Sequence, residues 1–395
     1  MITNKQIIYT LSPELKSGFF SPDSNPSDFL FFDIETTGLS PKNSRVFLIG
    51  LLFQREDAQD FELCQFLSEH SDDTSESLLL KEFCRIASSK KYLVHFNGAS
   101  FDVPYLANRC KALQIPQTFS DMPQIDLYRE LLRMPCFFRQ MPGHRQKDFE
   151  NLVSYPREDL LSGKEMIKIY QNYVKSPDTQ SQKLLLLHNS DDLKGMAALL
   201  PLGGLRQLLN REYTIEKAEE LTENSPEGTP LRKLLFTLSM KHSVCAALSA
   251  ALPFCYITVL NTTAKIKMPL YQGTLKYFYP DYQNYYYLPY EDEAVHKSIA
   301  LYLDKSRRQK AKAHNCCKKV SGCFVYAPGS PNLPLLQEDY HAKEKYALWP
   351  FENTSQETLL SYVHGILKTA ITKKRGLFLI KKIFYYSSTV SSASS

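Results

Sequence analysis

The sequence predicts an α/β fold in its first half, a mixed sheet of five strands flanked by helices, followed by a smaller α+β region. Three observations predict it. Apolar runs of strand length recur before residue 100, stretches of helical periodicity separate the later ones, and glycine, proline or polar clusters stand between them. The resulting order is three strands, helix, strand, helix, which is what a sheet with helices packed on it requires.

The run DFLFFDIETT (28–37) is apolar and ends in acids, as a central strand buried on both faces would, and Gly38 with Ser40-Pro41 ends it. RVFLIGLLFQRE (45–56) and FELCQFLSE (61–69) continue it as an antiparallel meander around a polar turn at 57–60. Over 75–89, Leu78, Leu79, Phe83, Ile86 and Ala87 recur at helical spacing. KYLVHFN (91–97) reads as another buried strand and FDVPYLANRCKALQ (101–114) as a second helix, with Pro104 in its first turn. A basic loop over 139–147 carries Arg139, His144, Arg145 and Lys147 and is expected at the mouth of a cleft. A long helix over 178–200 places Leu185, Asn189, Asp192, Met196 and Leu199 on one stripe, and Pro201, Gly203 and Gly204 break it.

From residue 213 the chain turns polar and acidic, and ENSPEGTP (223–230) has the composition of a linker. The expected organisation is an N-terminal extension over 1–27, an α/β domain over 28–212, a linker over 213–230, an accessory domain over 231–372 and a tail over 373–395 with a frayed, serine-rich end. The accessory part mixes strand-like pieces, PFCYITVL and AKIKMPLYQG, with a helical stretch over 291–313.

Charged residues are 23% and hydrophobic ones 43% of the 395, which excludes a disordered chain, and Tyr (24) and Phe (23) are abundant. A net charge of +5 permits a polyanionic partner without demanding one. Nine cysteines, an odd number scattered through apolar runs, predict reduced thiols. The first 20 residues lack a basic head followed by an apolar core, and no stretch approaches the roughly 20 apolar residues that cross a bilayer. A cytoplasmic protein with no membrane association is expected.

Asp33 and Glu35 carry the strongest chemical signal. Residues two apart on a strand point to one side, so both carboxylates face one point, where unpaired charge on an otherwise apolar face is costly. Such a pair can hold two hard cations about 3.5–4 Å apart. Asp102 enters the first turn of the second helix, where a carboxylate suits the helix dipole as well as a metal, though on its own an acid there is more often a cap than a ligand. His188 and Asp192, four apart in the late helix, share a face, and Asp192 lies on the inward stripe while Asp191 is the weaker candidate.

Together these segments resemble the three exonuclease motifs of the DEDD superfamily: DIETTGL, FNGASFDVPYL and HNSDDLKGMAAL. Within that superfamily the resemblance is to the YprB ribonuclease H-like domain, from about Phe29 to Leu209, taking in Asp126-Leu127 and SGKEMIKIY. It implies an RNase H-like mixed five-stranded sheet, with Asp33, Glu35, Asp102 and Asp192 as ligands of two Mg²⁺ or Mn²⁺ ions. Thr36, Asn97, Gly98 and Asn189 are the expected substrate contacts. The implied activity is a 3′-5′ exonuclease acting on DNA or RNA with a single-stranded 3′ end. A structure-selective endonuclease and a non-catalytic nucleic-acid-binding protein are the alternatives. His188 departs from the common motifs, standing at the spacing of a tyrosine, and either activates the attacking water or hydrogen-bonds in the cleft.

In the second half, Tyr285, Tyr286, Tyr287 and Tyr290 precede a basic stretch with Lys297, Lys305, Arg307, Arg308, Lys310 and Lys312. This composition suits a grip on single strands, but tyrosines usually pack half-buried and such a basic stretch is more often a solvated face. His314, Cys316, Cys317 and Cys323 lack the gap that zinc chelation favours.

Overall fold

The computed structural model describes residues 1–8, 18–20, 24–55, 60–224, 228–329, 333–351 and 355–372. The expected frayed tail over 373–395 lies outside them, as do 56–59 of the first meander turn and 225–227 of the expected linker. Two units are distinguished: residues 1–213 with 240–248 and 259–263, and the intervening segments with everything from Ala264 onward. Among the described residues no helix is long and apolar enough to cross a membrane.

The first unit is built on β1 (Ile2–Ile8), β2 (Phe29–Thr36), β3 (Val46–Gln54), β4 (Phe61–Leu67), β5 (Tyr92–His95) and β6 (Gln124–Asp126). They form one sheet in the order β1-β4-β3-β2-β5-β6, antiparallel up to β2 and parallel from β2 to β6. The sheet is therefore mixed and RNase H-like as expected, but it has six strands where five were expected. The sixth, β1, comes from the segment read as an N-terminal extension. As an edge strand it needs no fully apolar face, and its Asn4 donates to Gln65 of β4 at 3.0 Å.

The helices are α1 (Asp73–Ala87), α2 (Asp102–Ala112), α3 (Leu127–Leu131), α4 (Pro135–Phe138), α5 (Gln146–Leu152), α6 (Gly163–Lys175), α7 (Thr179–Ala198) and α8 (Arg206–Asn210). Alternation along β2 assigns its two faces. Leu30, Phe32 and Ile34 join Leu79 and Phe83 of α1 and Leu106 of α2 in one core. On the opposite side Leu48 and Leu67 pack with Met166 and Tyr170 of α6 and Leu185 of α7. The expected inward stripe of α7 is buried at Leu185, Asn189, Met196 and Leu199, and Asp178 caps the helix by accepting from the Ser181 amide at 2.8 Å.

Asp33, Gly50 and Gln65 are paired across β2, β3 and β4 and so share the face toward α7. A Cβ on Gly50 would lie 2.0 Å from Asn189 Oδ1, so only glycine lets α7 approach this row.

The second unit contains β10 (Tyr271–Phe278), β11 (Tyr285–Leu288), β12 (Glu293–His296), α9 (Lys297–Ala300), β13 (Gln309–Lys310), β14 (Cys317–Tyr326), β15 (Tyr346–Trp349) and α10 (Gln356–Thr372). Its small sheets are ordered β10-β14-β15 and β12-β11-β13. A further sheet of the chain, β7-β8-β9, is formed by β7 (Tyr213–Asn224), β8 (Pro230–Leu252) and β9 (Cys255–Pro269).

Two expectations for this half are corrected. Residues 213–224 are a strand, not part of a linker, because the acids that looked solvated pair within their sheet. Glu220 meets Arg232, and Glu223 meets both Lys233 at 2.6 Å and Lys267 at 2.5 Å, lysines that hold its carboxyl down at about 2. The helix expected over 291–313 is instead β12, the single turn α9, a loop and β13. Its apolar residues Ile299, Leu301, Tyr302 and Leu303 are exposed, so no core contact holds this stretch as a helix.

Gly50→Ala is expected to lower stability by about 1–3 kcal/mol through forced displacement of Asn189. Gly163→Ala, where a Cβ meets open space at the start of α6, should be neutral or stabilising by at most about 1 kcal/mol. Denaturant unfolding of the two variants beside the parent checks both.

Candidate metal centre

Three elements supply the expected acids, of which Glu35 and Asp192 stand with His188 within ligand reach of one another, while Asp33 and Asp102 lie outside that group among the described residues. Asp33 and Glu35 project from β2 toward α7. β5 ends at His95, and the Asp102 carboxyl at the start of α2 accepts from its own amide and from that of Ile34, the residue between the two strand acids. His188 and Asp192 come from α7. His188 Nε2 lies 3.3 Å from Glu35 Oε1 and 3.4 Å from Asp192 Oδ2. Glu35, His188 and Asp192 each offer one ligand atom, all within 4.8 Å of one another.

Burial and mutual repulsion dominate the electrostatics. Burial, then Asp192, Glu35 and Asp102, push the Asp33 carboxyl well above the usual range, while the Asn189 hydrogen bond pulls it down. Glu35 is raised well above its ordinary value by burial, Asp192, Asp102 and Asp159, with Arg157 opposing. Burial, countered by the two amides and helped by Asp126 and Asp192, lifts Asp102 to about 7.

Sequence reasoning missed a set of residues that enclose this cluster. Arg157, in the loop between α5 and α6, ion-pairs with Asp192 Oδ1 at 2.8 Å, with Glu150 at 3.1 Å and with Asp159 at 3.2 Å. Burial opposes its charge, but Asp192 and Glu150 outweigh it and raise its pKa. Asp159, almost fully buried, accepts from His188 Nδ1 at 2.7 Å. Although burial would raise its carboxyl, the Leu161 amide, His188 and Arg157 hold it below the usual range. Asp191, the weaker candidate of the Asp191-Asp192 pair, accepts from the Glu158 and Asp159 amides at 2.9 and 2.7 Å and so pins this loop. Only hydrophobic spacing marks inward residues in a sequence, and this polar loop has none.

The structure places the expected substrate contacts as follows. Asn189 is fully buried; its amide donates to Asp33 Oδ2 at 2.9 Å and accepts from Gln65 at 2.9 Å, so it positions Asp33. The Thr36 hydroxyl is turned into the following loop, donating to Gly38 O at 2.9 Å. Gly98 is buried, and a Cβ there would meet the His95 ring at 2.8 Å, so its bareness serves packing against that ring. Asn97 is exposed, with φ of 60°, and its amide donates to Asp126 Oδ1 at 2.8 Å.

The donor set fits a divalent cation. His188 sets Nδ1 against Asp159 and Nε2 against two carboxylate oxygens, and one imidazole with two carboxylates is a donor set that a divalent cation can take.

A half-buried acid cluster on the central strand of a mixed sheet, closed by a late helix, is the class of site this fold presents. Residues 30–202 match the model of the RNase H superfamily. No curated protein matches the sequence. Among solved structures, the family B DNA polymerase of the hyperthermophilic archaeon Pyrobaculum calidifontis aligns with 88% of this chain and 46% of its own, at 14% identity and a TM-score of 0.36. E. coli exonuclease I in complex with a dT13 oligonucleotide aligns with 53% of this chain and 54% of its own, at 13% identity and a TM-score of 0.29. The alignments thus take in about half the length of each of these structures.

Because the folded-state carboxyls of Asp33, Glu35 and Asp102 are raised, the stability they contribute is complete below their unfolded values and is lost as pH rises through the folded ones, near 7 for Asp102. The metal-free protein should therefore melt at progressively lower temperature between about pH 5 and pH 8. Asp102→Asn should flatten that slope, and Mn²⁺ should offset it, as thermal unfolding in EDTA and in Mn²⁺ would show.

Proposed function

We propose that this chain is a metal-dependent nuclease of the DEDD type, a 3′-5′ exonuclease that hydrolyses phosphodiester bonds of DNA or RNA from a single-stranded 3′ end. The observation that carries the proposal is the placing of Glu35, Asp192 and His188 within ligand reach of one another, with Asp33 beside Glu35 on β2 and Asp102 among the acids whose charge acts on both. Asp33, Glu35, Asp102 and Asp192 would hold two Mg²⁺ or Mn²⁺ ions. When bound, such ions offset the charge that develops on the phosphate and the leaving oxygen.

The chain's own residues supply the rest. Asn189 holds the Asp33 carboxylate in place. Asp159 accepts the Nδ1 proton of His188, which leaves the Nε2 lone pair facing the cluster. There Nε2 takes the proton of the water that attacks phosphorus; the P–O3′ bond breaks, and the 3′ oxygen takes a proton from solvent.

A second reading rests on Arg157. Its pairing with Asp192 Oδ1 gives the cluster an internal cation, which suits a non-catalytic nucleic-acid-binding protein. Digestion of end-labelled DNA and RNA with Mg²⁺ or Mn²⁺ decides between them. Asp33→Ala should abolish release of nucleotides with the fold retained. Substrates blocked at the 3′ end should resist the parent, whereas an endonuclease on this fold would cut them.

Asp159→Asn tests the positioning of His188. It should lower kcat by about 10–100-fold with KM little changed and displace the alkaline or acid limb of the pH–rate profile. A variant with parent-like kcat and pH profile would remove Asp159 from this role.

A further inference from the structure

Positive charge in this chain is concentrated. Residues 297–319 hold eight Lys and Arg against one acid, Asp304, a surplus of seven that exceeds the whole-chain net of +5, so the remainder is net acidic. Some of these cations are already neutralised: Arg307 pairs with Glu291 and Lys319 with Asp292. Lys297, Lys305, Lys310 and Lys312 are exposed and, among the described residues, have no acidic partner.

Aromatic rings are set between them. Tyr302 is 92% and Tyr290 83% exposed, whereas surface tyrosines ordinarily lie half-buried. The Arg307 guanidinium lies 5.9 Å from the Tyr290 ring, and that of Arg308 lies 5.0 Å from the Tyr286 ring. Antiparallel pairing sets Lys310 of β13 directly across from Tyr286 of β11, on the same face. The base beneath is packed: Tyr285 and Tyr287 close over Ala294, Ala311 and Cys316, Tyr279 stacks on Tyr285 at 4.4 Å, and Arg308 donates to the Ala300 carbonyl.

We infer that this face of the second unit binds single-stranded nucleic acid, with Tyr290 and Tyr302 as platforms for unpaired bases and Lys297, Lys305, Lys310 and Lys312 on the phosphates. Charge complementarity selects a polyanion. Free ring faces select one whose bases are unstacked, because a duplex keeps its bases on one another. The inference rests on the reading that this chain works on nucleic acid and names the surface that grips it.

The test is fluorescence anisotropy of labelled oligo(dT) and oligo(rU) with the full chain in EDTA. Tyr290→Ala/Tyr302→Ala should weaken binding roughly tenfold or more. Changing the four lysines to Gln should reduce the slope of log affinity against log salt by about 3, at about 0.7 per phosphate contact on a single strand. All six side chains are exposed, so circular dichroism should be unchanged in both variants. Parent-like binding and salt slope in both overturn the inference. So does loss of binding to phosphatidylserine vesicles in the tyrosine variant with oligonucleotide binding intact. Mn²⁺-dependent hydrolysis together with parent-like binding by the variants sinks the surface and leaves the nuclease reading standing. Ring-dependent binding without hydrolysis supports the surface and sinks the nuclease.

Discussion

Everything in the first unit is arranged around carboxylates that repel one another out of water. An isolated buried carboxylate is costly enough to take up a proton, and here partial burial and mutual repulsion push Asp33, Glu35 and Asp102 in that direction. Such a cluster is a poor way to hold a fold together. Replacing buried charges by apolar groups is often neutral or stabilising, so the cluster is explained by what it can bind better than by what it holds in place. The protein offsets part of the cost through Arg157 and through hydrogen bonds to Asp33, Asp102 and Asp159.

Those hydrogen bonds form a chain across the sheet. Asn4 donates to Gln65, Gln65 to Asn189 and Asn189 to Asp33, so β1, β4 and α7 together set the orientation of one carboxylate on β2. Close approach makes the chain possible, and glycines provide it. Gly50 leaves room for the Asn189 amide, and Gly195, one turn beyond Asp192, leaves room for Glu150, whose Oε1 would lie 1.9 Å from a Cβ there. Glu150 in turn anchors Arg157. The two glycines act at separate points but serve the same end, bringing α7 and its surroundings against the acids.

The parts legible in the sequence were those with a period. Alternation on β2 put Asp33 and Glu35 on one side, and the helical stripe turned Asn189 and Asp192 inward. The same stripe could not show that Asn189 hydrogen-bonds Asp33 and Gln65, because those partners come from distant strands. Arg157 and Asp159 sit in a loop whose composition, SYPREDLLSG, is that of a solvated turn; only the fold reveals that Asp191 pins it inward. Likewise, the acids of β7 looked like a linker because their lysine and arginine partners come from β8 and β9, beyond the reach of any local pattern.

Charge also constrains the order of events at the centre. Asp33, Glu35, Asp102, Asp192, Glu150 and Asp159 stand against Arg157, with Lys147 reaching only Asp159, at 3.5 Å. Arg157 is spread over three of the six, and no pairing to it is made by Asp33 or Asp102. A phosphodiester brought to this cluster would add negative charge to a desolvated site that already carries a surplus, where Coulomb interactions are strongest. On the nuclease reading, the acids must therefore be neutralised before a phosphate can settle against Asp33 and Glu35. The alternative of neutralisation by protons would occupy the same oxygens that a cation needs. Substrate affinity at the centre thus depends on the same charge balance that sets its stability.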